Sequence, residues 1–219
     1  HGPEYAPALS AESVDPMFPP LAISDYVRAR PVVKLQDGCS HGCTYCIVPL
    51  TRGRAVSRPP EDILAEMARL HAAGFQELIL SGLNLRQCGR DFPRSASIRD
   101  FWTLLAWLEE RLAPDWAGRA RWRLSSLEPG QLGEAALAVL SGSRMVAPQL
   151  HISLQSGSPA VLKRMGRGHY DPASLPEFLA ALRLAWPVMG LGADILMGFP
   201  GESAAEFEET RVFAQELPL

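Results

Sequence analysis

The sequence predicts an α/β fold of parallel strands joined by crossover helices. Three observations carry this: five short apolar or alternating segments, a helical apolar pattern after each, and glycine or proline punctuation at the joints. Strict strand–helix alternation requires crossover connections, and these are right-handed between parallel strands. Periodicity alone leaves open whether the sheet closes into a barrel or stays doubly wound.

Residues 1–31 hold six prolines (Pro3, Pro7, Pro16, Pro19, Pro20 and Pro31), too many for a long helix or a central strand. They read as an extended lead-in or linker. Val32-Val33-Lys34-Leu35 is the first strand, followed by a cysteine loop. Pro60-Glu61-Asp62 opens a helix, with proline at its first position and acids in its first turn. Ile63, Leu64, Met67 and Leu70 then recur at helical spacing, and Gly74 stops it. Glu77 to Ser81 is a compact apolar strand ended by Gly82. Ile98 to Leu112 is a helix with Phe101, Leu104, Leu105 and Leu108 on one face. Arg121 to Leu127 alternates as a strand, Gln131 to Leu140 is a helix closed by Gly142, and Leu150 to Leu154 alternates again. A short helix follows Ser158-Pro159, and a longer one runs from Ser174 to Ala185. Leu191 to Met197 is a strand ending at Gly198. Ser203-Ala-Ala-Glu206 is a capping-box pattern that starts the last helix.

The 219 residues are 47% hydrophobic and 21% charged, the balance of a globular domain rather than a disordered chain. No apolar run approaches the ~18 residues of a membrane span. The net charge of −3 gives no general nucleic-acid signal and leaves only local basic groups to provide one. Four cysteines are too few for a disulfide scaffold, and three of them lie between Cys39 and Cys46. Clustered cysteines without a signal-peptide core point to metal ligation in a reducing, cytoplasmic setting. The fourth, Cys88, reads as a free thiol, and the five tryptophans read as packing residues.

The segment Cys39-Ser-His-Gly-Cys43-Thr-Tyr-Cys46 has the spacing C-x3-C-x2-C. Three thiolates on one tight loop hold three irons of a four-iron cluster and leave the fourth open to a substrate or cofactor. Electron-transfer clusters normally use four cysteines and leave no such position. Gly38 and Gly42 let the backbone wrap closely, and the loop follows a strand, where barrel and open-sheet sites form. The alternative is a zinc site that adds His41 to the three thiols, cramped because His41 lies between the first two.

The spacing, with Tyr45 before the last cysteine, resembles the radical S-adenosylmethionine superfamily. Lys34-Leu-Gln-Asp-Gly-Cys39, Cys43-Thr-Tyr-Cys46-Ile-Val-Pro49, Arg52-Gly53-Arg54 and Ser57-Arg58 are similar to the methylthiotransferases within it. So are Ser153-Leu-Gln155-Ser-Gly-Ser158, Leu162-Lys-Arg-Met-Gly-Arg167 and Asp194-Ile-Leu-Met-Gly198-Phe-Pro-Gly-Glu202. Arg123-Leu-Ser-Ser-Leu-Glu128 resembles the branch acting on threonylcarbamoyladenosine in tRNA. The isopentenyladenosine tRNA branch and the ribosomal-protein branch are the alternatives. A non-catalytic iron–sulfur or zinc module is an alternative of another class.

The resemblance implies a partial (β/α)6 TIM-like barrel over residues 32–219, lacking its last strand and leaving an open strand edge. It implies a 4Fe-4S cluster on Cys39, Cys43 and Cys46. S-adenosylmethionine bound at its open iron would yield a 5′-deoxyadenosyl radical, which takes hydrogen from C2 of the substrate adenine. Tyr45, Gly82, Asn84, Glu128, Gln155, Arg167, Asp194, Ile195 and Gly198 are the implied cofactor contacts. Gly82 and Asn84 would meet the methionine amine, Arg167 the carboxylate, and Ile195 and Gly198 the adenine. Arg52, Arg54 and Arg58 form a basic loop that would hold RNA phosphates, with Lys163, Arg164 and His169 a weaker second group. The family also implies an electron donor, a sulfur donor, and domains outside this sequence: an N-terminal one with an auxiliary 4Fe-4S cluster and a C-terminal one for RNA. No membrane partner is expected.

Overall fold

Val33 and Leu35 alternate with polar residues along the first strand, β1 (Val32–Asp37), and both are fully buried. The computed structural model describes Phe18 and residues 27–217. The proline-rich lead-in therefore lies largely outside the described residues. A two-residue strand, β2 (Val56–Ser57), pairs antiparallel with β1. On the other side of β1 come β3 (Glu77–Gly82) and then β4 (Arg121–Leu124), both parallel. A second parallel pair, β5 (Gln149–Gln155) and β6 (Gly190–Ile195), continues the series.

The two sheets join through β4. Bridges at Trp122–Val146 and Leu127–Ile152 bind its line to that of β5. The expected strand from Arg121 to Leu127 is thus shorter than its alternation suggests. The Ser125 N–H still donates to Leu80 O (2.9 Å), after which the Leu127 N–H donates to His151 O (2.8 Å). The chain leaves β3 for β5 at this point. Among the described residues β6 pairs with β5 alone, and the sheet does not close.

Helices follow the strands as the alternation requires. A short helix, α1 (Val48–Arg52), leaves the cysteine loop, and α2 (Pro60–Ala72) follows β2 with Pro60 at its start. The next helix, α3 (Phe101–Trp116), starts later than its apolar pattern because Asp100 and Thr103 form a reciprocal capping box. It passes Pro114, which sits in the last turn, and ends on buried Trp116. Helix α4 (Glu134–Gly142) is preceded by a 3₁₀ turn, Pro129–Gln131, which takes the residues expected to open it. Helices α5 (Pro159–Arg164) and α6 (Ser174–Ala185) follow β5, and α7 (Ala204–Glu216) follows β6. The Ser203–Glu206 capping box forms as read, with both side chains bonded to the opposing backbone N–H groups.

The core fills the space between sheet and helices: Leu78, Leu80 and Trp122 from the strands meet Met67, Leu104, Leu105 and Leu108 from the helices, all fully buried. Trp102, Trp116, Trp122 and Trp186 are buried, as packing residues should be. No helix among the described residues is long and apolar enough to cross a membrane.

Candidate active site

The cysteine loop leaves the C-terminal end of β1 through Gly38, whose φ of 66° suits glycine. A Cβ there would stand 1.9 Å from the Arg54 carbonyl oxygen, so the loop and the Gly53–Arg54 segment lie backbone to backbone. The Cys39 N–H donates to Gly53 O at 3.0 Å. The far side of the loop is held by the turn after α5. There the Thr44 N–H donates to Met165 O (3.0 Å) and the Thr44 hydroxyl to Arg164 O (3.1 Å). Gly166 lets that turn approach, since a Cβ on it would lie 2.7 Å from Gly42 O. Cys39, Cys43 and Cys46 are all half-buried free thiols on this clamped loop.

A polar network meets the loop from just past β3 and β4 and from the turn after α5. Asn84, just past β3, caps a 3₁₀ turn, Leu85–Gln87, and its amide reaches His41 Nδ1 (3.3 Å) and Cys39 Sγ (3.8 Å). Glu128, past the end of β4, is buried at 5% exposure. Its Oε1 lies 2.6 Å from His169 Nε2, 3.3 Å from Arg167 Nη2 and 3.6 Å from His41 Nδ1, and its Oε2 lies 3.6 Å from Arg86 Nη1. Arg167 also donates to Ser153 O (2.9 Å) and reaches the Tyr45 hydroxyl at 3.5 Å. Burial pushes the Cys43 thiol up, against the opposing pull of Arg167. Burial likewise carries the Tyr45 phenol up to about 12 and lowers His41, whose neighbour Glu128 only partly offsets the effect.

Two buried polar atoms of this network lack hydrogen-bond partners: Arg167 Nε and Glu128 Oε2. Buried polar groups are nearly always paired, so an open donor on Arg167 and an open charged acceptor on Glu128 fit a zwitterionic ligand such as S-adenosylmethionine. The three cysteines fit a cluster better than a single ion. A tetrahedral zinc with bonds of about 2.3 Å would draw its sulfurs to about 3.8 Å of one another. Among the described residues, the one set of three such ligand atoms within 4.8 Å is His41, Glu128 and His169, not the thiols. That trio is itself crowded by two guanidinium groups, which oppose a cation there.

The other expected contacts are placed differently. Gly82 ends β3, but the space beside its α-carbon is filled by Leu85 Cδ2 and Gln36 Oε1, so packing alone accounts for glycine. Gln155 ends β5 and is the one non-glycine with positive φ (68°) among the described residues, a strained conformation of the kind found at functional sites. Asp194 on β6 is exposed and pairs with His151 Nε2 at 3.0 Å. Ile195, one residue on, lines an apolar crevice against Phe207 and Ala214 of α7. Gly198 has φ of 71° and open space around it.

The basic loop is corrected. Arg58 is buried at 3% and forms an ion pair with buried Glu66 of α2, so it presents no charge to RNA. Arg52 pairs with Asp37 at 3.5 Å, and Arg54 is exposed. In the second group Arg164 is committed to Glu206 and His169 to Glu128. Cys88 is fully buried away from the loop. Gln36, Arg86, Gln87 and Tyr170 belong to the site's surroundings without any sequence signal of their own. A separate cavity of about 1030 Å³ opens at the other ends of the strands, where Glu77 already pairs with Arg30, Arg121 and Arg123.

Residues 33–214 match the family model of the Radical SAM superfamily. Threonylcarbamoyladenosine tRNA methylthiotransferase MtaB of Rickettsia prowazekii (strain Madrid E) is 35% identical over 192 residues, 88% of this chain and 44% of its own length. The MtaB of Bacillus subtilis (strain 168) is 37% identical over 189 residues, covering 86% and 40%. A tRNA-2-methylthio-N(6)-dimethylallyladenosine synthase of Clostridium botulinum (strain Langeland / NCTC 10281 / Type F) is 31% identical over 206 residues, covering 94% and 44%. The chain thus spans less than half the length of these relatives. Among solved structures, the radical S-adenosylmethionine methyltransferase TsrM from Kitasatospora setae, with cobalamin and a 4Fe-4S cluster bound, shares the fold. It matches at a TM-score of 0.67 and 18% identity, over 84% of this chain and 34% of its own.

Proposed function

The chain belongs to the radical SAM superfamily, and on that premise we propose that it is the radical domain of a tRNA methylthiotransferase acting on threonylcarbamoyladenosine. Cys39, Cys43 and Cys46 hold a 4Fe-4S cluster, and Arg167, Glu128 and Asn84 receive S-adenosylmethionine beside it. Cluster and cofactor, when bound, supply the one-electron chemistry that removes hydrogen from the substrate carbon. The protein's part is to bind and orient. The Arg167 guanidinium offers Nε to a carboxylate, and the Asn84 amide and Glu128 offer acceptors to an ammonium or to ribose hydroxyls.

The observation that carries this reading is the junction of a three-cysteine loop with a buried Arg167–Glu128 pair in which Arg167 Nε and Glu128 Oε2 make no hydrogen bond. The branch rests on Arg123-Leu-Ser-Ser-Leu-Glu128 and on the MtaB relatives at 35–38% identity, against 31–33% for the dimethylallyladenosine synthases. The reaction also needs an electron donor and a sulfur donor, the latter served by an auxiliary cluster in the longer protein. Tight tRNA binding belongs with that longer protein as well, since Arg52 and Arg54 are the basic loop residues left to face RNA. Anaerobic reconstitution tests the reading. Four irons and four sulfides per chain, with reductive cleavage of S-adenosylmethionine, are expected. One zinc and no cleavage overturns it. Nucleoside analysis of tRNA from a strain lacking the gene should show loss of the methylthio group from threonylcarbamoyladenosine. Loss from isopentenyladenosine instead reassigns the branch.

A further inference from the structure

Gln87 ends the 3₁₀ turn after β3, is 5% exposed, and spans two neighbouring residues of the cysteine loop. Its Oε1 accepts the Ser40 N–H at 2.9 Å, and its Nε2 donates to Cys39 Sγ at 3.5 Å. A backbone N–H can only donate, so the Ser40 contact fixes which end of the amide is oxygen and therefore turns the –NH₂ toward the sulfur. The turn that carries Gln87 is itself fixed. Asn84 Oδ1 accepts the Arg86 N–H, and the Asn84 N–H donates to Gln36 Oε1. Gly89, just beyond, donates to the Ser57 hydroxyl. Cys39 thus faces two side-chain amides, with Gln87 the closer and the one that also holds the cysteine loop, through the Ser40 N–H.

We propose that Gln87 is a positioning residue that raises the reduction potential of the cluster through its N–H···S bond to Cys39. A donor to a ligating thiolate draws electron density from it and so favours the reduced, more negative cluster. Asn84 makes a longer contact to the same sulfur and shares its amide with His41, so it contributes less. The inference rests on the reading of Cys39 as a cluster ligand.

Two variants separate donor from scaffold. Gln87→Glu keeps an acceptor for Ser40 and places a carboxylate oxygen against the sulfur. Gln87→Leu removes both contacts at similar volume. Each is reconstituted anaerobically, its iron and sulfide counted, and its cluster titrated with dithionite and read by electron paramagnetic resonance. Both variants should load four irons. Both should show about a tenfold lower ratio of reduced to oxidised cluster at a fixed poise, about 59 mV for a one-electron couple, with Gln87→Glu shifted at least as far. An unchanged potential in loaded variants overturns the inference. So does failure of both to load, because Gln87 would then be needed to form the loop rather than to tune it. If the wild-type chain binds no four-iron cluster, it is the proposed function that fails.

Discussion

Arg167 Nη2 lies 3.3 Å from Glu128 Oε1, and both side chains are more than nine-tenths buried. The pair is incomplete: Arg167 Nε and Glu128 Oε2 have no hydrogen-bond partner. A hydrogen bond to a charged group is worth about 1.5–3 kcal/mol. Arg167→Ala should therefore weaken S-adenosylmethionine binding by about tenfold to a hundredfold, measured by equilibrium dialysis on reconstituted protein. Iron content should hold if, as proposed, the thiols rather than the guanidinium carry the cluster. Arg167→Lys restores charge without the fork and should recover only part of the loss. Unchanged affinity in both variants would make the pair purely structural.

The cysteine loop was legible because its information is local: three thiols, two glycines and the preceding strand lie within a dozen or so residues. Resemblance and, for Glu128, its place at the end of a strand single out Glu128 and Arg167, but nothing in their own neighbourhoods tells that the β4–β5 bridges bring them together. Gln87 carried no signal at all, because its role depends on a loop from a different strand. Arg58 shows the opposite failure. Beside Arg52 and Arg54 it read as part of a basic patch, but the partner that buries it stands on the next helix, and charge counting cannot see that. The overlong strand expected from Arg121 to Leu127 failed for a related reason, as its alternation continued while its hydrogen-bond partner changed.

Arg58 and Glu66 give the next prediction. Arg58 Nη1 also donates to Lys34 O (3.3 Å) and Nη2 to Asp62 O (3.3 Å), so the guanidinium ties α2 to β1. Removing one partner of a buried pair leaves an uncompensated charge, at a cost of about 3–5 kcal/mol. Glu66→Ala and Arg58→Ala should each lower the urea midpoint by that equivalent. The apolar double variant Arg58→Met/Glu66→Leu should lie closer to wild type than either. If the double variant loses as much as the two single variants together, the pair is not coupled.

Cys88 is fully buried, and burial pushes its thiol from 9.0 up to about 12, with the Ser57 hydroxyl pulling slightly the other way. In the folded, cluster-free chain at pH 8, iodoacetamide should modify Cys39, Cys43 and Cys46 and spare Cys88 until denaturant is added. The stability effect has a definite sign. The unfolded thiol loses its proton near pH 9 while the folded one retains it, so the contribution is complete below pH 9 and falls as pH rises toward 12. Cys88→Ala should remove that part of the alkaline loss. Peptide mapping and urea titrations between pH 8 and 11 check both points, and early labelling of Cys88 would contradict them.

Gln155 holds a strained backbone at the end of β5. Its φ of 68° is costly for a side chain with a Cβ, about 1–3 kcal/mol. The surrounding structure enforces it. The Gln155 carbonyl accepts the Leu196 N–H at 2.8 Å, and the next residues are clamped to α7 by Ser156 and Gly157 bonds to Thr210 (2.9 and 3.1 Å). Glycine takes the same conformation freely but gains about 0.5–1 kcal/mol of unfolded-state entropy. Gln155→Gly should therefore stabilise the fold by a net ~1 kcal/mol while weakening S-adenosylmethionine binding through loss of the amide. Gln155→Ala should lose the same affinity and gain no stability, because it keeps the strain. Thermal unfolding and equilibrium dialysis on the two variants separate these effects. A Gln155→Gly protein that is both more stable and fully competent for binding would show that the strain serves the strand junction rather than the cofactor.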